Sequence, residues 1–98
     1  MRLPLRYRVA QKGVIDRMGT GMTYEMGANG LSFRCRKPLP VGAHIDAVID
    51  WPARYEDIHP VDLQVTGFVV RSDAGRTAVR LTSRRFRVNH AQPLPASA

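Results

Sequence analysis

The chain has one cysteine, Cys35, in 98 residues. A lone thiol excludes an internal disulfide and a cysteine-rich zinc site, and fits a reducing cytoplasm. Long apolar runs are missing too. No stretch approaches the roughly 20 residues of a membrane-spanning helix, and Met1-Arg2-Leu3-Pro4 leads into no apolar signal core. The expectation is a cytoplasmic protein without membrane insertion. No segment sustains a 3.6-residue period, so helices do not organise the chain. Acidic residues number eight against fifteen basic ones, and lysine is scarcer still, two against thirteen arginines.

The constellations of catalysis are likewise absent. His44, His59 and His90 are scattered, with no metal-ligand spacing to one another, to Cys35 or to a carboxylate. Asp46 and Asp50 share a strand face but stand roughly 13 Å apart along it, too far for a carboxylate pair. Ser72, Ser83 and Ser97 lie in no nucleophile elbow, and Gly19-Thr20-Gly21 is not followed by the Gly-Lys-Ser/Thr of a phosphate loop. These readings point away from an enzyme, from a required cofactor and from a metal.

What the chain does have is period-two alternation broken by turn signals. Leu3, Leu5, Tyr7 and Val9 share one face, with Arg6 and Arg8 on the other. Gln11-Lys12-Gly13 reads as a turn, Val14 to Arg17 as a short hairpin extension, and Gly19-Thr20-Gly21 as a further break. Strands are expected over Met22–Met26 and Gly30–Arg36, joined by Asn29-Gly30, a pair that tolerates positive φ at both residues and signals a hairpin. Leu31, Phe33 and Cys35 then face inward, with Cys35 a plain core thiol, while Ser32, Arg34 and Arg36 face outward. The Lys37–Gly42 stretch, with two prolines, crosses between strands. Ala43–Trp51 is a strand ended by Pro52, followed by a polar loop over 53–60. Val61–Arg71 is a long strand in which Gly67 marks a bulge or a barrel corner. Ser72–Gly75 is a four-residue hairpin loop, and Arg76–Ser83 returns. Arg84–Arg87 ends that strand or starts a helical turn, and Asn89–Ala98 is a mobile tail. The sum is one all-β domain over residues 1–88, a six- or seven-stranded antiparallel Greek-key barrel. Its expected core includes Leu5, Tyr7, Phe33, Ile45, Ile49, Trp51, Leu63, Val69, Val79 and Leu81.

The net charge of +7 admits an ordinary basic surface or an anionic or nucleotide partner. Arginine in particular offers a planar fork for phosphate and for the guanine edge. Arg6, Arg8, Arg34, Arg36 and Arg80 are expected on an outward basic surface. A single-stranded nucleic-acid barrel would need exposed aromatics beside such residues. Tyr7, Phe33 and Trp51 fall on the inward face, which disfavours that partner.

Several stretches in order are similar to the PilZ domain, a bacterial six-stranded barrel family whose typical members bind cyclic di-GMP. They are Leu3–Val9, Glu25–Phe33, Pro38–Gly42, Ile49–Pro52, Gly67–Arg71 and Ala78–Leu81, together spanning nearly the whole chain to Arg87. The resemblance implies two ligand motifs. Asp/Asn-x-Ser-x-x-Gly falls on Glu25-Met26-Gly27-Ala28-Asn29-Gly30, where Gly30 matches, Glu25 keeps a longer carboxylate and Gly27 replaces the serine. Arg-x-x-x-Arg has its spacing in Arg2 and Arg6, with Arg8 close by, although Leu3–Val9 also aligns with the family's first strand, ahead of which that pair stands. The implied function is a non-enzymatic signalling adaptor in a cyclic di-GMP-related pathway. It would bind the nucleotide weakly or not at all and act through a protein partner. A working cyclic di-GMP receptor is the alternative, and an OB-like nucleic-acid barrel the outside one.

Overall fold

The computed structural model describes residues 2–11, 16–56 and 58–88. Six strands form: β1 (Pro4–Ala10), β2 (Asp16–Met26), β3 (Gly30–Arg34), β4 (His44–Tyr55), β5 (His59–Asp73) and β6 (Arg76–Val88). No helix occurs among the described residues. Every pairing is antiparallel, in the order β1-β2-β3-β6-β5-β4, and β1 pairs with β4 to close the barrel. β4 lies beside β1, and β3 beside β6, so two Greek keys overlap. Closure gives each strand two neighbours and removes the open edges that a flat sheet of this size would expose.

Alternation sets the core. In β1 the odd residues Leu5, Tyr7 and Val9 are buried while Arg6 and Arg8 are exposed. Leu31 and Phe33 of β3, Ile45, Ala47 and Ile49 of β4, Leu63, Val65 and Val69 of β5 and Val79 of β6 complete the inward set. Each large side chain so placed contributes about 1.5–3 kcal/mol of transfer free energy. The segment between β3 and β4 closes one end of the barrel. Leu39 is buried there, and its amide donates to Ser72 Oγ at 2.8 Å, which lies 2.7 Å from Thr77 Oγ1. Cys35 joins this cluster, with Sγ 3.4 Å from Thr77 Oγ1 and donating to the Lys37 carbonyl at 3.2 Å. The thiol is thus a buried, hydrogen-bonded core group.

Several local expectations are corrected. Gly19-Thr20-Gly21 is not a break but the middle of β2. The glycines there serve close approach: a Cβ on Gly19 would strike the Tyr7 hydroxyl, and one on Gly21 the Arg34 carbonyl oxygen. Pro52 does not end β4. The strand passes through it at a register slip between Trp51 and Arg54, where no ladder bond is asked of the proline. The Asn29-Gly30 hairpin exists, but neither residue has a positive φ. Its turn spans Gly27–Asn29, with the Gly27 amide donating to the Gly30 carbonyl at 2.9 Å. The two-residue turn with both φ positive is Ala74-Gly75, at 51° and 78°, where a four-residue loop was expected. β3 stops at Arg34, leaving Arg36 exposed beyond it, and Arg84–Arg87 continue β6 as strand. Trp51 and Leu81 are only partly buried, packed against the core and not within it. Phe68 and Phe86 are exposed. The expected features at Lys12-Gly13, Val14-Ile15, Asp57 and Asn89–Ala98 lie outside the described residues.

At Gly67 the bulge expectation holds: the β5–β6 register slips between Thr66 and Gly67. A Cβ on Gly67 would collide with the Arg80 carbonyl oxygen. Gly67→Ala should therefore lower the unfolding free energy by about 2–3 kcal/mol in denaturant titrations, as overpacking against backbone does. Gly27→Ala has open space and no positive φ, and should stay within about 0.5 kcal/mol of the unmodified domain. Equal losses at the two glycines would contradict this assignment. Ala74→Asn, which places the preferred Asn-Gly pair in the real positive-φ turn, should stabilise by about 0.5–1 kcal/mol.

Candidate functional site: a cleft at the barrel mouth

Unequal strand lengths leave one end of the barrel open. β3 pairs with β6 only from Arg34↔Arg76 to Gly30↔Arg80, so the rest of β6 overhangs. At the slip beside Gly67, Thr66 pairs with Ser83 and Gly67 with Leu81, leaving Thr82 as the extra residue. One extra residue exchanges the faces of everything after it. Before the slip, Arg80 lies opposite exposed Phe68; after it, Arg84 lies opposite buried Val65 and Phe86 opposite buried Leu63. Arg84 and Phe86 are therefore turned over the open mouth. There Phe86 meets Trp51 edge to face, ring centroids 5.0 Å apart, and Arg84 Nη1 donates to the Gly27 carbonyl at 3.1 Å.

The resulting cleft encloses about 960 Å³. Leu3, Leu31 and Val79 supply apolar floor, Trp51 and Arg84 stand over it, and Glu25, Gly27, Ala28 and Gly30 form its rim. Its polar equipment is sparse: the Arg84 guanidinium, the Glu25 carboxylate, the Tyr24 phenol and the Ser32 hydroxyl. Ser32 Oγ is shut off from solvent and has no hydrogen-bond partner among the described residues.

The residues singled out from sequence divide cleanly. Glu25, Gly27 and Gly30 line the cleft, and Asn29 sits in the same turn, its carbonyl accepting from the Leu81 amide at 2.9 Å. Arg2 reaches the cleft edge, its guanidinium 4.9 Å from the Tyr24 ring centroid. Arg6 is not brought to the cleft; it lies on the outer face of β1, opposite Thr20 and Val48. Arg8 is also elsewhere, held by Asp16 through Nε–Oδ1 at 2.9 Å and Nη2–Oδ2 at 2.5 Å. That exposed pair holds the Asp16 carboxyl below its ordinary range. Arg34 and Arg80 project from the sheet as expected. Arg84, Trp51 and Ser32 were missed as site residues. Carrying the strand parity through the bulge at Gly67 would have found Arg84.

Tyr24 gathers a second cluster. It is the extra residue at the β2–β3 slip between Thr23 and Glu25. Arg76 lies 3.9 Å, Arg2 4.9 Å and Arg34 5.9 Å from its ring centroid. Arg34 and Arg76 are direct partners across β3–β6. Among the described residues, no three histidine, cysteine or acidic side chains gather to hold a metal. Comparisons with protein-family models, characterised proteins and solved structures found no match, so the PilZ resemblance rests on the residues themselves.

The tyrosines diverge in their ionisation. The Arg76 guanidinium at its hydroxyl, with the charges of Arg34 and Arg2, holds the Tyr24 phenol below its ordinary value. Burial, with Cys35 alongside, pushes the Tyr7 phenol up. In an alkaline titration of phenolate absorbance, Tyr24→Phe should remove an early-ionising phenol and Tyr7→Phe the last one. The signs for stability are opposite. Tyr24, lower in the folded state, adds stability as pH rises from its folded pKa towards the unfolded value of about 10; Tyr7, higher in the folded state, withdraws stability as pH rises above that value. Tyr7 ionising before Tyr24 would contradict the assignment.

Proposed function

We propose that this chain is a non-enzymatic signalling module of PilZ type. It acts as an adaptor through a protein partner in a cyclic di-GMP-related pathway, and it binds the nucleotide weakly or not at all. The observation that carries this reading is the separation of the ligand turn from two of its three candidate arginines, since only Arg2 reaches the cleft edge. Glu25, Gly27 and Gly30 rim the cleft, while Arg6 is on the outer face of β1 and Arg8 is engaged by Asp16. A strong grip on phosphate and guanine needs two forked guanidiniums converging on one ligand. Among the described residues the cleft itself is lined by one, Arg84, already donating to the Gly27 carbonyl. Gly27 offers no hydroxyl where the family motif has one.

Each missing bidentate contact costs roughly 1–3 kcal/mol, and two or three together lower affinity by a factor on the order of 10³. Calorimetric titration with cyclic di-GMP should accordingly give a dissociation constant towards the millimolar range. Low micromolar binding would overturn the reading and make the chain a receptor. Glu25→Asp with Gly27→Ser restores the motif, and the turn has room for the serine, since nothing lies within 4 Å of a Cβ at Gly27. If that variant still binds weakly, the missing arginines are the dominant defect; if it binds tightly, the serine position was.

A further inference from the structure

We propose that the outer face of β3, β6 and β5 binds single-stranded nucleic acid, on a surface that adjoins the mouth cleft along Tyr24, Gly30, Ser32 and Ala78. Positive charge is concentrated on β3 and β6, while Asp73 of β5 is the cross-strand neighbour of Arg76 without an ion pair to it. β3 and β6 together carry Arg34, Arg76, Arg80, Arg84, Arg85 and Arg87 and no acidic residue. Of these, Arg84 turns to the mouth and Arg87 meets Asp62 at 3.6 Å. Among the described residues, no carboxylate comes within ion-pair distance of Arg34, Arg76 or Arg80. Arg34 and Arg76 nevertheless face each other directly across the strands. Like charges so placed repel, and a phosphate between them would turn that repulsion into a grip. Arg76 and Arg80 are roughly 13 Å apart along β6, and Arg85 extends the line to roughly 30 Å, a track for several consecutive phosphates.

The second requirement for this class of partner is an aromatic platform beside the charge. It is met where the inward placement of Tyr7 and Phe33 had disfavoured it. Phe68 is 43% exposed and lies opposite Arg80, and its ring meets His44 edge to face at 5.5 Å. Phe68 is the ring open to a base; Tyr24, at the other border of the track, is half-buried beneath three guanidiniums and gathers the arginines there. Between the two rings lie the small residues Gly30, Ser32 and Ala78, which also line the border with the mouth cleft. Surface rings can stack only on bases that are free of their own stacks, which selects single strands over duplex. An acidic protein or a membrane would have no use for that arrangement of rings.

The test is fluorescence anisotropy with labelled oligothymidylate and oligouridylate of about 15 nucleotides, within the site sizes of small barrels. Binding should weaken with salt at a log–log slope near −2, about 0.7 for each of three phosphates neutralised. Arg76→Ala with Arg80→Ala should reduce affinity at least tenfold and flatten the slope by about 1.4. Phe68→Ala should reduce it on the order of tenfold with the slope unchanged. Arg6→Ala with Arg54→Ala removes the same charge from other strands and should change affinity less than threefold. An equal loss from that pair would overturn the proposal, because net charge alone would then explain binding. So would duplex or heparin binding as tightly as the single strand, or anionic vesicles capturing the protein while the oligonucleotides do not. Circular dichroism and melting check each variant. Should the double arginine variant unfold, Phe68→Ala and the salt slope of the unmodified domain still decide. Glu25→Asp with Gly27→Ser should leave oligonucleotide affinity unchanged, so this proposal and the cleft reading can fail separately.

Discussion

The close approach of β5 to β6 at Gly67 is the constraint on which the rest of this barrel depends. The Arg80 carbonyl occupies the space a side chain would need there. The two strands bend together at that point, and β6 takes in Thr82 as an extra residue. That single residue does three things. It turns the corner a six-stranded ring requires, it lets a thirteen-residue strand run past its five-residue neighbour, and it inverts the facing of all that follows. Arg84 and Phe86 reach the mouth for that reason alone. Without the slip, both would point away from the barrel, and the Gly27 carbonyl and the Trp51 ring would lose their partners.

The two ends of the barrel differ accordingly. One is sealed by Leu39 and by hydrogen bonds joining its amide, Ser72, Thr77 and Cys35, so its buried polar groups are matched to one another. The other is open and, among the described residues, has an unpartnered Ser32 hydroxyl and few charged groups over an apolar floor. Matched polar groups make the sealed end a structural element. The open end keeps bonding capacity to spare, as a ligand or partner site does.

Arginine is distributed by the same geometry. On β1 and the start of β2, Arg8 is matched to Asp16. Arg34 of β3 and Arg76 of β6 have no such acid among the described residues and gather over Tyr24 together with Arg2. A mouth poor in arginine and an outer sheet rich in it argue for two adjoining surfaces of different character. The mouth is where the proposed weak nucleotide site lies, and the sheet is where the proposed extended anion would bind.

Strand periodicity, the glycine bulge, the proline crossing and the turn between β2 and β3 were all legible in the chain, because alternation and turn chemistry are local properties. The stretch Glu25–Gly30, singled out from the sequence, lies at the mouth cleft. Other signals misled where local chemistry had two uses. Gly19 and Gly21 read as a break, yet they sit mid-strand because Tyr7 and the Arg34 carbonyl press on them. Asn29-Gly30 carries the hairpin signature, while the turn with both φ positive is Ala74-Gly75. Sequence by itself determined that this is an arginine-rich, all-β chain with one face of each strand buried, since burial of alternate apolar residues follows from the period. Only the tertiary structure decided which arginines meet. Register across strands sets Arg34 against Arg76. The slip at Gly67 sends Arg84 to the cleft, and closure between β1 and β4 carries Arg6 and Arg8 away from it. Register and closure arise from pairings between residues far apart in the chain, which no local pattern encodes.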